Sequence, residues 1–98
     1  MAKISVRRET QATRGRYVAR IEGFPGEAEL TYSRANPSVV IASHTGTPVA
    51  MRGQGIASAL VERLIADARA EGFRIVPLCS FVEAQFERHP EWSDLRAA

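Results

Sequence analysis

The sequence is poor in cysteine and histidine, and it has no long apolar run. Cys79 is the one cysteine among 98 residues, so no internal disulfide can form and a reducing, cytoplasmic setting is expected. His44 and His89, the two histidines, stand far apart, and neither has the clustered partners that metal ligation requires. No metal is therefore expected. No segment approaches the roughly 20 apolar residues that cross a bilayer, and Met1-Ala2-Lys3-Ile4-Ser5-Val6 lacks the apolar core of a secretory signal. Trp92 is the only tryptophan, and with Phe86 it reads as core rather than as a platform for stacking bases. Acidic residues are scarce at the start, where Lys3, Arg7, Arg8, Arg14, Arg16 and Arg20 face Glu9 alone. Such a basic stretch could attract nucleic acid, an acidic partner or a nucleotide phosphate. The plainer reading, which we favour over nucleic acid, is a solvated strand face.

What is present suits a globular chain: 45% hydrophobic and 24% charged residues, at a length that fits one domain over residues 1–98. Ile4 and Val6 alternate with Lys3, Ser5 and Arg7, the period of a half-buried strand. Tyr17, Ala19 and Ile21 repeat the pattern, as do Ala28, Leu30 and Tyr32. Turn residues separate them at Gln11–Gly15, Glu22-Gly23-Phe24-Pro25-Gly26 and Arg34-Ala35-Asn36-Pro37. With a fourth strand over Ser38–Thr45, the short spacings predict an antiparallel meander.

The chain then changes period. After Gly46 and Pro48 comes Arg52-Gly53-Gln54-Gly55, followed by Ile56, Ala57, Leu60, Val61, Leu64, Ile65 and Ala68 at helical spacing. Gly72 suits a left-handed cap, and Phe73–Leu78 reads as a fifth strand. Strand, helix and strand in this order imply a crossover joining two parallel strands. Pro77 donates no hydrogen bond, so a cleft is expected where the fourth and fifth strands end. Ser80-Phe81-Val82-Glu83 has the pattern of a capping box opening a short C-terminal helix. That helix must stop near His89, before Pro90. Glu91–Leu95 then packs back or frays. The fold class expected is α+β.

The glycine turn is the centre of this arrangement. First-turn amides of a helix lack internal partners and sit at the positive end of its dipole, and glycine lets a ligand approach them closely. A phosphate fits there. The dinucleotide fingerprint fails, because Ser58 stands where a third glycine or alanine is needed. The ATP-type loop fails too, because Ile56 follows Gly55 instead of lysine.

Arg52-Gly53-Gln54-Gly55-Ile56-Ala57, followed by Leu60, resembles the acyl-CoA loop of the GNAT superfamily of N-acetyltransferases. His44-Thr45, Ala68-Arg69 before Gly72, and Pro77-Leu78-Cys79-Ser80-Phe81-Val82 leading to Arg88-His89-Pro90-Glu91 are similar to the minimal family of about a hundred residues. The resemblance covers Tyr17 to Leu95. It implies a GNAT-like (acyl-CoA N-acyltransferase) fold that binds acetyl-CoA as cosubstrate and transfers an acetyl group to an amine, either a small molecule or a protein lysine. Backbone groups of Arg52, Gly53, Gln54, Gly55, Ile56, Ala57 and Ser58 would then hold the pyrophosphate, with Thr45, Thr47 and Val49 guiding the pantetheine arm. Superfamily loops usually carry Gln or Arg where this chain has Ala50, which leaves Arg52 as the substitute contact.

Cys79 follows the fifth strand and precedes a helix, where a thiol's pKa is lowered; the matching residue of the family is its suspected active-site thiol. It could carry a transient acyl group, assist direct transfer, or be a small buried hydrophobe. His44 and His89 are of the residue type that most often serves as general base. Strand alternation turns His44 away from Ile41 and Ser43, where it is either a base or a structural residue. His89 could simply complement a helix terminus. A CoA-binding module without turnover and a small basic nucleic-acid binder are the alternative functions.

Overall fold

The computed structural model describes residues 3–97. Five strands form one sheet in the order β1 (Ile4–Thr10), β2 (Arg14–Ile21), β3 (Ala28–Asn36), β4 (Val39–Gly46) and β5 (Arg74–Pro77). The first four pair antiparallel in sequence order, while β5 lies parallel to β4. Helix α1 (Ile56–Glu71) connects these two, and α2 (Ser80–Arg88) follows β5. The meander, the crossover and the α+β class are as the sequence predicts. Among the described residues no helix is long and apolar enough to cross a membrane.

Alternation decides what the sheet buries. Tyr17, Ala19, Ile21, Ala28, Leu30 and Tyr32 point to one side and form a single cluster with Leu60, Val61, Leu64 and Ala68 of α1. Each strand supplies every second residue, and α1 supplies positions three and four apart. Val82 and Phe86 of α2 join the same cluster. So do Trp92 and Leu95 from a 3-10 turn over Pro90–Leu95, so this segment packs back. Phe86 and Trp92 meet edge to face at 5.9 Å, a core pair. Arg96 bridges to Ile75 and the Ala97 amide donates to the Ile75 carbonyl at 2.8 Å, covering the outer edge of β5.

A polar network ties β1, β2 and β3 to α1. The Tyr17 hydroxyl donates to Asp67 at 2.8 Å, and Arg8 reaches Asp67, Glu71 and the Tyr32 hydroxyl. Burial raises the Tyr17 phenol well above its usual range, and the hydrogen bond to Asp67 adds to the effect. Tyr17 therefore stays neutral and donates.

Two local expectations are corrected. The capping box at Ser80 does not form: Cys79 is the N-cap in an extended conformation, Ser80 is already helical, and no side chain caps the end. Glu83 is recruited instead by Arg96, which meets both of its carboxylate oxygens at 2.7 Å. Second, β4 carries a bulge. Thr31 pairs with His44 but Tyr32 pairs with Ala42, leaving Ser43 extra. An inserted residue reverses the alternation beyond it. His44 therefore shares the face of Ser43 and Thr31, away from the helices, and Thr45, opposite buried Leu30, turns toward them.

Candidate functional site

β4 and β5 pair only over Val39–Ala42 and Arg74–Pro77. The Cys79 amide takes the Ala42 carbonyl at 3.0 Å, and the Leu78 amide folds back onto Val76 at 3.0 Å. Past that point the chains part, and among the described residues Ser43–Gly46 has no strand on its β5 side. The cleft foreseen from Pro77 exists, and both ends face the same rim.

The glycine turn forms one side of that rim. A 3-10 turn, Val49–Met51, anchors it through Met51, which is fully buried. Gly53 and Gly55 both adopt left-handed backbone, with φ of 82° and 79°, and nothing lies within 4 Å of where either Cβ would project. Gly55 is the N-cap of α1, without a side-chain cap. The first backbone bond of the helix runs from Ala59 to Gly55. Among the described residues the amides of Gly55, Ile56, Ala57 and Ser58 thus have no partner, and they point to a space that the glycines leave open.

A groove of about 370 Å³ lies over these amides. Of the residues expected to bind cofactor, Thr45, Thr47, Arg52, Gly53, Gly55, Ile56, Ala57 and Ser58 line it; Gln54 and Val49 do not. Val49 points outward, 77% exposed. Met51 and Phe81 also line the groove, and sequence reasoning missed both. Phe81 follows Cys79 by two residues in the segment that carries the resemblance, a signal that was available. Met51 had none, because its role depends on the 3-10 turn.

Cys79 sits at the edge of this groove. Its Sγ lies 3.3 Å from the hydroxyl of Thr45. Burial pushes the thiol up, but hydrogen bonds from the Thr45 hydroxyl and from the backbone of Val82 and Phe81 outweigh it and hold the thiol below its ordinary value. Amides of the first helical turn aimed at sulfur favour thiolate. His44 lies across β4 from this pair, exposed, so the strand separates the two candidate catalytic side chains. His89 is engaged elsewhere: it stacks on Trp92 at 3.9 Å and its Nδ1 lies 3.0 Å from Glu91. Among the described residues no group of three or more His, Cys, Asp or Glu could hold a metal ion.

The N-terminal arginines do not form a free cationic surface. On the sheet face opposite the helices, Arg7 meets Glu9 and Glu27, Arg16 meets Glu9 and Glu29, and Arg20 meets Glu27. Arg8 points the other way, to α1. Pairing with Glu9 of β1, Glu27 just before β3 and Glu29 on it makes a mosaic of both signs.

A family model of GCN5-related N-acetyl-transferases matches residues 16–95, from β2 to the last 3-10 turn. The chain belongs to this family. For a GCN5-related N-acetyltransferase domain the parts above have a common sense: a groove with free amides at one end, a thiol at its edge, and a parted pair of parallel strands between them.

Proposed function

We propose that residues 1–98 form one domain that transfers the acetyl group of acetyl-CoA to a primary amine in the cytoplasm. The observation that carries this reading is the placement of Cys79, beneath the first-turn amides of α2 and beside Thr45, on the same rim as the unpartnered amides of α1. A diphosphate at Gly53–Ser58, with Arg52 adding charge, puts the pantetheine arm along Thr47 and Thr45 and its thioester at Cys79. Holding the reactants in this way supplies up to roughly 7–11 kcal/mol of the barrier. Among the described residues the amides of parted β4 have no strand partner on that side, and they suit a developing oxyanion.

Cys79 thiolate attacks the thioester carbonyl; a new carbon–sulfur bond forms, and coenzyme A leaves as its thiolate. The amine then attacks the acetyl-cysteine, the carbon–nitrogen bond forms, and Cys79 departs as thiolate. The proton lost by the amine passes to water.

The test is intact-protein mass spectrometry after brief exposure to acetyl-CoA without amine. One acetyl group should appear on Cys79, and Cys79→Ala should lose both the adduct and turnover while binding acetyl-CoA normally in calorimetry. Full turnover by Cys79→Ala would remove the thiol from the mechanism. Acetyl-CoA binding with no release of free coenzyme A under any amine would reduce the protein to a binding module.

A further inference from the structure

A second and larger groove, of about 480 Å³, opens on the helix-free face of the sheet, away from the glycine turn. Its floor holds Thr31, Ser33 and Ser43, and its far wall is the β1–β2 hairpin with Gln11 and Arg14. Ser43 is the bulge residue of β4, one position from His44 and two from Thr45, which touches Cys79. The groove thus runs from the hairpin to the strand whose opposite face carries the thiol.

Its charge is unbalanced in one place. Arg16 is already held by Glu9 and Glu29, at 2.7 and 2.9 Å. Arg14 meets no carboxylate among the described residues; its Nε donates to the Gln11 amide oxygen at 3.1 Å. The floor contributes neutral hydroxyls, with Thr31 and Ser43 3.3 Å apart. A single unneutralised guanidinium over a floor of hydroxyls matches a monoanion with planar oxygens; a dianionic phosphate would call on a second free cation. Guanidinium and carboxylate pair through two parallel hydrogen bonds.

We propose that this groove is the acceptor site and that it selects amines carrying a carboxylate, which Arg14 anchors. The inference rests on the acetyl-transfer reading above. Arg14 is opposite Ser33, and Ser33 is opposite Ile41, which still pairs with Val76 of β5. The cleft therefore lies two to three strand spacings across from Arg14 and, at His44 and Thr45, two to three residues further along β3. At about 4.8 Å per strand and about 3.4 Å per residue along it, the carboxylate lies roughly 12–18 Å from the nitrogen that is acetylated. A lysine side chain followed by two extended residues and a free C-terminus spans about that length.

The probe is Nα-acetyl-Lys-Gly-Gly with a free carboxylate, compared with its C-terminal amide, titrated into ¹⁵N-labelled protein without acetyl-CoA. The acid should shift the amide signals of Gly15, Thr31 and Ser33 and bind about tenfold more tightly than the amide. Arg14→Ala should abolish that preference, Arg14→Lys should keep part of it, and neither should change calorimetric affinity for acetyl-CoA. Equal affinity for acid and amide, shifts confined to other residues, or an unchanged preference in Arg14→Ala would overturn the assignment. Because this titration contains no acetyl-CoA, failure of the acetyl-transfer reading registers separately, as absent turnover or absent acetyl-CoA binding.

Discussion

Gly55 separates backbone strain from electrostatics, because the space beyond it is open. Any L-residue there must adopt φ near 79°, which costs about 1–2 kcal/mol, partly offset by about 0.4–1 kcal/mol from the less flexible unfolded chain. Nothing within 4 Å obstructs a Cβ. Gly55→Gln and Gly55→Glu should therefore both fold, each losing about 1 kcal/mol, or roughly 4–8 °C in Tm for a domain of this size. Their affinities for acetyl-CoA should differ. A carboxylate about 4 Å from a phosphate charge is repelled by about 1–4 kcal/mol, depending on how water-like the site is. Gly55→Glu should accordingly bind roughly five- to several-hundred-fold more weakly than Gly55→Gln. Calorimetry at low salt measures the difference, and it should shrink as salt is added, since the Debye length falls from ~30 Å at 0.01 M to ~10 Å at 0.1 M. Equal affinity of the two variants at low salt, with both folded, would show that no phosphate approaches this turn.

Two further perturbations test the surrounding structure. Thr45→Val removes the hydroxyl 3.3 Å from Cys79 Sγ and leaves the burial that opposes ionisation less compensated. The wild-type thiol should react with iodoacetamide at lower pH than a free cysteine does, and the variant's rate profile should move to higher pH; an unmoved profile would refute the role given to Thr45. Gly15→Ala places a methyl 2.6 Å from Tyr32 Cζ and 2.7 Å from the Glu9 carbonyl. Tyr32 cannot easily yield, because Arg8 holds its hydroxyl at 3.0 Å. The expected loss is about 1–3 kcal/mol, read as a drop of roughly 5–20 °C in Tm; a melt within a degree or two of wild type would contradict it.

By itself the sequence determined the elements and much of their order. Period-two alternation at Tyr17–Ile21 and Ala28–Tyr32, helical spacing from Ile56 to Ala68, and stops at Gly72 and Pro90 each report a local preference that the fold keeps. The glycine turn was legible for the same reason: an αL N-cap and a left-handed glycine before it are properties of a few neighbouring residues. Tertiary structure decided whatever depends on partners distant in the chain. The bulge at Ser43 follows from the register with β3, and it alone turns His44 outward and Thr45 toward Cys79. Arg96, thirteen residues further along the chain, draws Glu83 away from the helix cap it could have made at Ser80. Arg7, Arg16 and Arg20 read as a basic stretch until the chain entering β3 brings Glu27 and Glu29 beside them, leaving Arg14, among the described residues, as an arginine at that end of the sheet whose charge no carboxylate answers. Spacing along a chain fixes local geometry, but charge balance and the facing of a side chain beyond a bulge are set by the strand that happens to lie next door.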